Sequence, residues 1–133
     1  MCTSNLKYSP NMGAVIISTA NGNLDGTGTI GSLLSVSASE DGCIIDTIKI
    51  KSQVANIEGM IRLFINDGSN YYLIQEVPVP ASTPTAYYTS FSALVHLSLN
   101  LNSGYSLGVS TENSEQFSII ASGRNYKNCS CPA

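Results

Sequence analysis

Apolar residues recur at every second position along most of the chain, which is the spacing of a strand with one face on a core. In "VHLSLNL", Val95, Leu97, Leu99 and Leu101 fall on one side and His96, Ser98 and Asn100 on the other. "YSLGVST" repeats the pattern with Tyr105, Leu107 and Val109, and "QFSIIAS" with Phe117, Ile119 and Ala121. This parity places Leu97 and Ile119 in the core. Earlier strands are expected at about Ala14–Ala20, Leu33–Ala38, Cys43–Ser52, Met60–Asn66 and Tyr71–Val77, with a further one at Ala86–Phe91. In "CIIDTIKIKS", Ile44, Asp46, Ile48 and Ile50 share a parity that Ile45 breaks. A bulge or bend near Asp46 reconciles the two, because one extra residue flips the side on which later side chains fall. No stretch carries a sustained helical period, so no long helix is expected.

The joints between these runs are those of a β protein. "NDGSN" holds Asp67-Gly68, a pair that favours the positive φ angles of hairpin turns, with a loop of either two or four residues. "NSGY" at Asn102–Tyr105 is a second turn. Pro78, Pro80 and Pro84 follow a strand and cannot donate to a ladder, so "VPVPASTPT" is expected to be a long, semi-extended crossover. About eight or nine short antiparallel strands joined this way form a sandwich or barrel, and the proline-rich link favours a jelly roll or related Greek-key sandwich. The chain divides into an N-terminal arm (1–12), one β-sandwich domain (13–126) and a C-terminal tail (127–133). A single domain of 133 residues buries enough surface to fold without metal or disulfide.

Composition narrows the function classes. Charged residues make up 11% of the chain, against ~25% in an ordinary soluble domain. A surface so rich in Ser, Thr, Asn and Gly suggests that part of it is covered by a partner. With six Lys and Arg and a net charge of -3, the chain has no basic stripe for nucleic acid and no polybasic patch for a membrane. The opening "MCTSNLKYSP" has no apolar run of the signal-peptide kind, so the protein is expected to start in a cytosol. Runs such as "AVII" are too short to span a bilayer. In a reducing cytosol Cys2, Cys43, Cys129 and Cys131 are expected as free thiols. Metal binding by Cys129 and Cys131 with Cys2 or Cys43 lacks the CxxC pairs of zinc modules, and a disulfide between the termini requires an oxidising medium.

Catalytic candidates are thin. His96, the one histidine, lies on the polar side of its strand with no nucleophile motif nearby. Glu112 and Glu115 in "TENSEQ", with Glu40 and Asp41 in "SEDG", could serve a glycosidase only across a cleft ~5–9 Å wide, and exposed acidic turns are the commoner case. "LDGTGT" (Leu24 to Thr29) lacks the Lys-Ser/Thr of a P-loop and reads as a flexible loop or edge segment. "NDGSN" offers oxygen ligands without EF-hand spacing, so no calcium is assigned. No enzymatic activity and no cofactor are expected.

Contacts between proteins are the better use of this surface. Lys49, Lys51 and Arg62 fall on strands adjacent in sequence and in one register would share an outward face. Tyr71, Tyr72, Tyr87, Tyr88 and Tyr105 come mostly from loops and strand ends, where Tyr supplies contact area at low entropic cost. The candidate interface residues are Lys49, Lys51, Arg62, Asp67, Asn70, Tyr71, Tyr72, Glu112 and Glu115.

Four segments in order, "LDGTGT", "IDTIKIKS", "GMIRLFINDGSNYYLIQEVPVPASTPT" and "LNSGYSLGVSTENSEQFSIIASG", resemble a family of small proteins encoded among the structural genes of tailed bacteriophages and prophages. The resemblance covers about residues 21–126; the tail "NCSCPA" lies outside it. It implies a virion component made in the bacterial cytoplasm: a head auxiliary or decoration protein, of the crAss-like group, seated as a homotrimer on the major capsid protein or other virion proteins. It implies no catalytic residues. The alternatives are a head- or tail-fibre module that holds a host glycan through "TENSEQ" and "NDGSN", and a neck or tail structural subunit.

Overall fold

The computed structural model describes residues 5–129, and within them the alternation resolves into eight strands. These are β1 (Asn5–Ile17), β2 (Gly31–Ser35), β3 (Gly42–Ser52), β4 (Gly59–Asn66), β5 (Tyr71–Val79), β6 (Ser92–Asn102), β7 (Ser106–Thr111) and β8 (Phe117–Cys129). They form two four-stranded antiparallel sheets, ordered β1-β8-β3-β6 and β2-β7-β4-β5. Every connection except the β4–β5 hairpin passes from one sheet to the other. That strand order is a jelly roll, as expected, but the crossover starts later than the prolines suggested: Pro78 lies inside β5 opposite Met60, on the edge of its sheet, where its missing N–H leaves no ladder bond unmade.

The two inner faces make the core. Cys43, Ile45, Ile48 and Ile50 of β3 and Phe117, Ile119 and Ala121 of β8 meet Ile61 and Leu63 of β4 and Leu107 and Val109 of β7, all fully buried. The expected parity break occurs at Asp46: pairing of β3 with both neighbours shifts between Ile45 and Thr47, so Ile45 and Ile48 both point inward. Ser98 of β6, at φ 47°, marks the matching irregularity across the ladder. The β4–β5 loop is the four-residue form, Asp67 to Asn70, with Asp67 N–H donating to Asn70 C=O at 3.2 Å and Gly68 at φ 103°.

Three expectations change. The first strand begins at Asn5, so residues 5–12, read as an arm, pair with β8 from end to end, and residues 127–129, read as tail, are the end of β8 and pair with Asn5–Lys7. Pro10 lies within this strand because β1 is a sheet edge, where a proline can turn its missing N–H outward. Gly13 is required beside it: a Cβ at this position would stand 1.8 Å from the Leu33 carbonyl oxygen, because β2 crosses tightly over β1. The strand expected at Ala86–Phe91 does not form. Thr85 Oγ1 accepts the N–H groups of Tyr87 and Tyr88, and Thr85 N–H donates to Tyr88 C=O, so the chain turns where a ladder would need it extended. Leu97 packs against the core but is only half-buried, since β6 closes one edge of its sheet.

Candidate interaction surface

The basic cluster expected from Lys49, Lys51 and Arg62 is not assembled. β3 and β4 are consecutive in sequence but belong to opposite sheets. Lys49 is exposed on the outer face of the β1-β8-β3-β6 sheet, and Lys51 beside it donates from Nζ to the Ser90 carbonyl at 2.9 Å. Arg62 lies on the other sheet, only 7% exposed. Its Nε donates to Glu76 Oε1 at 3.0 Å and its Nη1 stands 2.6 Å from Glu112 Oε2, off the N–H direction, so charge carries that contact. Burial disfavours the guanidinium charge, and the two carboxylates more than offset it, so the Arg62 pKa rises. Cross-strand pairing of Arg62 with Glu76 and loop placement of Glu112 make this a structural ion cluster.

The other predicted residues are also engaged within the chain. Asp67 Oδ1 accepts the N–H groups of Ser69 and Asn70 and its Oδ2 accepts the Tyr72 hydroxyl, and these bonds hold its pKa below the ordinary 3.8. Tyr71 meets Phe64 edge to face, with centroids 6.3 Å apart. Glu115 accepts Ile57 N–H at 2.7 Å and the Asn56 amide at 3.2 Å, tying the β7–β8 loop to the β3–β4 loop. Glu112 and Glu115 are thus anchored to different partners rather than facing one another across a cleft. Tyr87 and Tyr88 stand exposed on the β5–β6 link.

Little of the described surface is shaped for chemistry. Among the described residues, no three His, Cys, Asp or Glu side chains gather as a metal site requires. A cleft of about 130 Å³ between Ile16, Ile17, Thr29 and Ser110 is smaller than the ~300 Å³ from which ligand pockets start. Three larger hollows of about 480, 370 and 320 Å³ are open to solvent, beside Glu58 and Pro80, along Val15 and Ile119, and at Tyr8 and Arg124. Cys43 is buried; burial pushes its thiol pKa up against an opposing contact from the Asn11 amide at 3.9 Å. The proposals for Cys2, Cys131 and the Cys129 thiol lie outside the described residues and side chains.

The two outer faces of the sandwich are finished differently. The β1–β2 loop lies over the β2-β7-β4-β5 sheet. Asn21 clamps it, donating to the carbonyls of Thr27 and Thr29 at 3.0 and 2.9 Å while its N–H donates to Thr111 C=O at 2.7 Å. Asp25 accepts from the hydroxyl and N–H of Thr27, with the hydroxyl contact lowering its pKa most, and Ile30 sits over Gly108. The segment read as a flexible loop is therefore pinned by hydrogen bonds as a cover for that sheet. Among the described residues, nothing comparable lies over the opposite outer face. Alternation along β1 turns Leu6, Tyr8, Met12 and Ile16 outward, with Ile120 of β8 and Leu94 of β6 on the same face. These six side chains are between 38% and 70% exposed. The even-numbered apolar positions 6, 8, 12, 14 and 16 carry the period-two signal for this face, across a stretch of which residues 1–12 were read as an arm.

No protein-family model and no curated protein sequence matches the chain. In backbone fold it is similar to a chain of the acidic stable capsid structure of Helicobacter pylori bacteriophage KHP30, with a TM-score of 0.56 at 6% identity. That alignment covers 97% of this chain and 100% of the other. It also aligns with a chain of the cyanophage Pam1 capsid asymmetric unit, with a TM-score of 0.43 at 18% identity, over 93% and 86% of the two chains. At 6% identity the likeness to the KHP30 chain is one of fold.

Proposed function

We propose that this protein is a non-enzymatic structural component of a tailed-phage virion, an auxiliary protein seated on the capsid surface as a homo-oligomer, with a trimer the expected form. The observation that carries the reading is the end-to-end fold likeness to a chain of the KHP30 capsid structure, which covers all of that chain and nearly all of this one. A body of this size and shape is a complete jelly roll with a bare apolar face, which suits attachment to a surface. Modest contacts suffice on a repeating lattice, because several joined copies bind together. The acidic loops that a glycan-binding fibre module would use spend Asp67, Glu112 and Glu115 on contacts within the chain, which favours the capsid reading over that alternative. The test is to incubate the purified protein with phage capsids that lack it, then image the particles and count bound copies. Regular density over the shell supports the proposal and reveals the symmetry. Bare shells refute it.

A further inference from the structure

The bare outer face is apolar, weakly basic and nearly free of acids. Taking roughly 200 Å² for a large side chain, its six exposed apolar residues present on the order of 600 Å². One side of a standard protein interface buries about 800 Å². Lys49 lies between Ile120 and Leu94 in one cross-strand row, with Lys51 in the next. Arg124 is the other cation, lying over the Tyr8 ring at 5.5 Å and paired to Asp46 at 3.4 Å. Asp46, the one carboxylate on this face among the described residues, is thereby neutralised, and within those residues the two lysines have no acidic partner.

We propose that the outer face of the β1-β8-β3-β6 sheet is the docking face of this protein, and that its partner is a different protein of the shell presenting apolar side chains bordered by carboxylates. The inference rests on the capsid reading and narrows it to one face and one partner chemistry. A two-fold contact between copies through this face would bring lysine toward lysine with no free acid between them. In a second copy Glu76 and Glu112 are already paired with Arg62, and Asp25, Asp41, Asp67 and Glu115, though still charged, are held by hydrogen bonds in their own loops and strand ends. Two lysines also fall short of the four to eight basic residues with which a polybasic surface holds an anionic membrane. The contact is made by the face and not by strand addition. Pro10 sits midway along β1, and a proline in a paired strand turns its missing N–H to the free edge, which interrupts any ladder built there.

The experiment compares binding to purified capsids that lack the protein. The double variant Met12→Glu with Ile16→Glu changes two exposed outward positions and is expected to bind at least about tenfold more weakly, with an unchanged far-ultraviolet spectrum. Leu24→Glu, on the covering loop of the other sheet, is expected to bind like wild type. Equal binding by wild type and the double variant overturns the docking face alone; failure of wild type to bind overturns the capsid reading and the docking face with it. Loss of binding in Leu24→Glu alone also overturns the face. Should the double variant misfold, a benzoylphenylalanine photo-crosslinker placed at Met12 gives the answer independently. Adducts to a shell protein support the proposal, and adducts only to another copy of this chain overturn it. Capture by phosphatidylserine vesicles but not by capsids overturns it as well.

Discussion

Ile119, Ile120 and Leu97 test the register and depth of the sandwich together. Ile119 of β8 pairs with Val15 on one side and Ile50 on the other and is fully buried. Ile119→Ala removes three carbons, about 2.4 kcal/mol of transfer free energy at ~0.8 kcal/mol per methylene. The cavity left between two sheets that cannot collapse onto it brings the cost to about 3–4 kcal/mol. At ~2.1 cal/mol/K per residue, a 133-residue domain shifts by roughly 3.5 °C for each kcal/mol, so Tm should fall by about 10–14 °C. Leu97 has the same inward parity but stands half-exposed on the β6 edge, so the space left by Leu97→Ala opens to solvent. The expected cost is about 1–1.5 kcal/mol, a fall of about 4–5 °C. Ile120→Ala, one residue along and on the outer face, should move Tm by less than about 2 °C. Differential scanning calorimetry on the three variants settles the order. Equal losses for Leu97→Ala and Ile119→Ala would show that β6 is buried like a central strand and refute the sheet order. A large loss for Ile120→Ala would refute the register of β8.

Gly13→Ala places a methyl group against the Leu33 backbone, which has no side-chain freedom to yield. A loss of about 2–4 kcal/mol in urea unfolding is expected, and a neutral result would mean that β1 and β2 do not cross as described. Glu112→Gln leaves Arg62 with Glu76 alone. The loss should be about 1–2 kcal/mol, below the ~3–5 of a fully buried broken pair, because Glu112 is partly exposed and one partner remains. No change on chemical denaturation would refute the ion cluster. The lowered Asp67 pKa gives a pH signature: the stability it contributes is present above its ordinary 3.8 and disappears as pH falls through the depressed folded-state value. Thermal melts of Asp67→Asn should therefore show a shallower fall over that acid range than wild type, and parallel curves would refute the role of the turn carboxylate.

The period-two alternation and the Asp67-Gly68 turn determined by themselves that the chain is an antiparallel sandwich or barrel, and the proline-rich link favoured the sandwich. Each is a local constraint, acting on backbone angles or on the side of a strand a residue faces. Even the bulge at Asp46 was legible, because a parity break between Ile45 and Ile48 has no other simple resolution. Tertiary structure decided which strands are neighbours, and with them the surface. Lys51 and Arg62 are eleven positions apart yet lie on opposite sheets, because the β3–β4 connection crosses the sandwich. Leu97 and Ile119 have equivalent local patterns, and only the sheet order makes one an edge residue and the other a central one. Pro10 and Gly13 weaken a strand judged alone; a free edge accommodates the first and a crossing β2 requires the second. The loop over one outer face and the bare apolar row on the other were decided in the same way. Alternation states which side chains share a side, and only long-range packing states what, if anything, covers them.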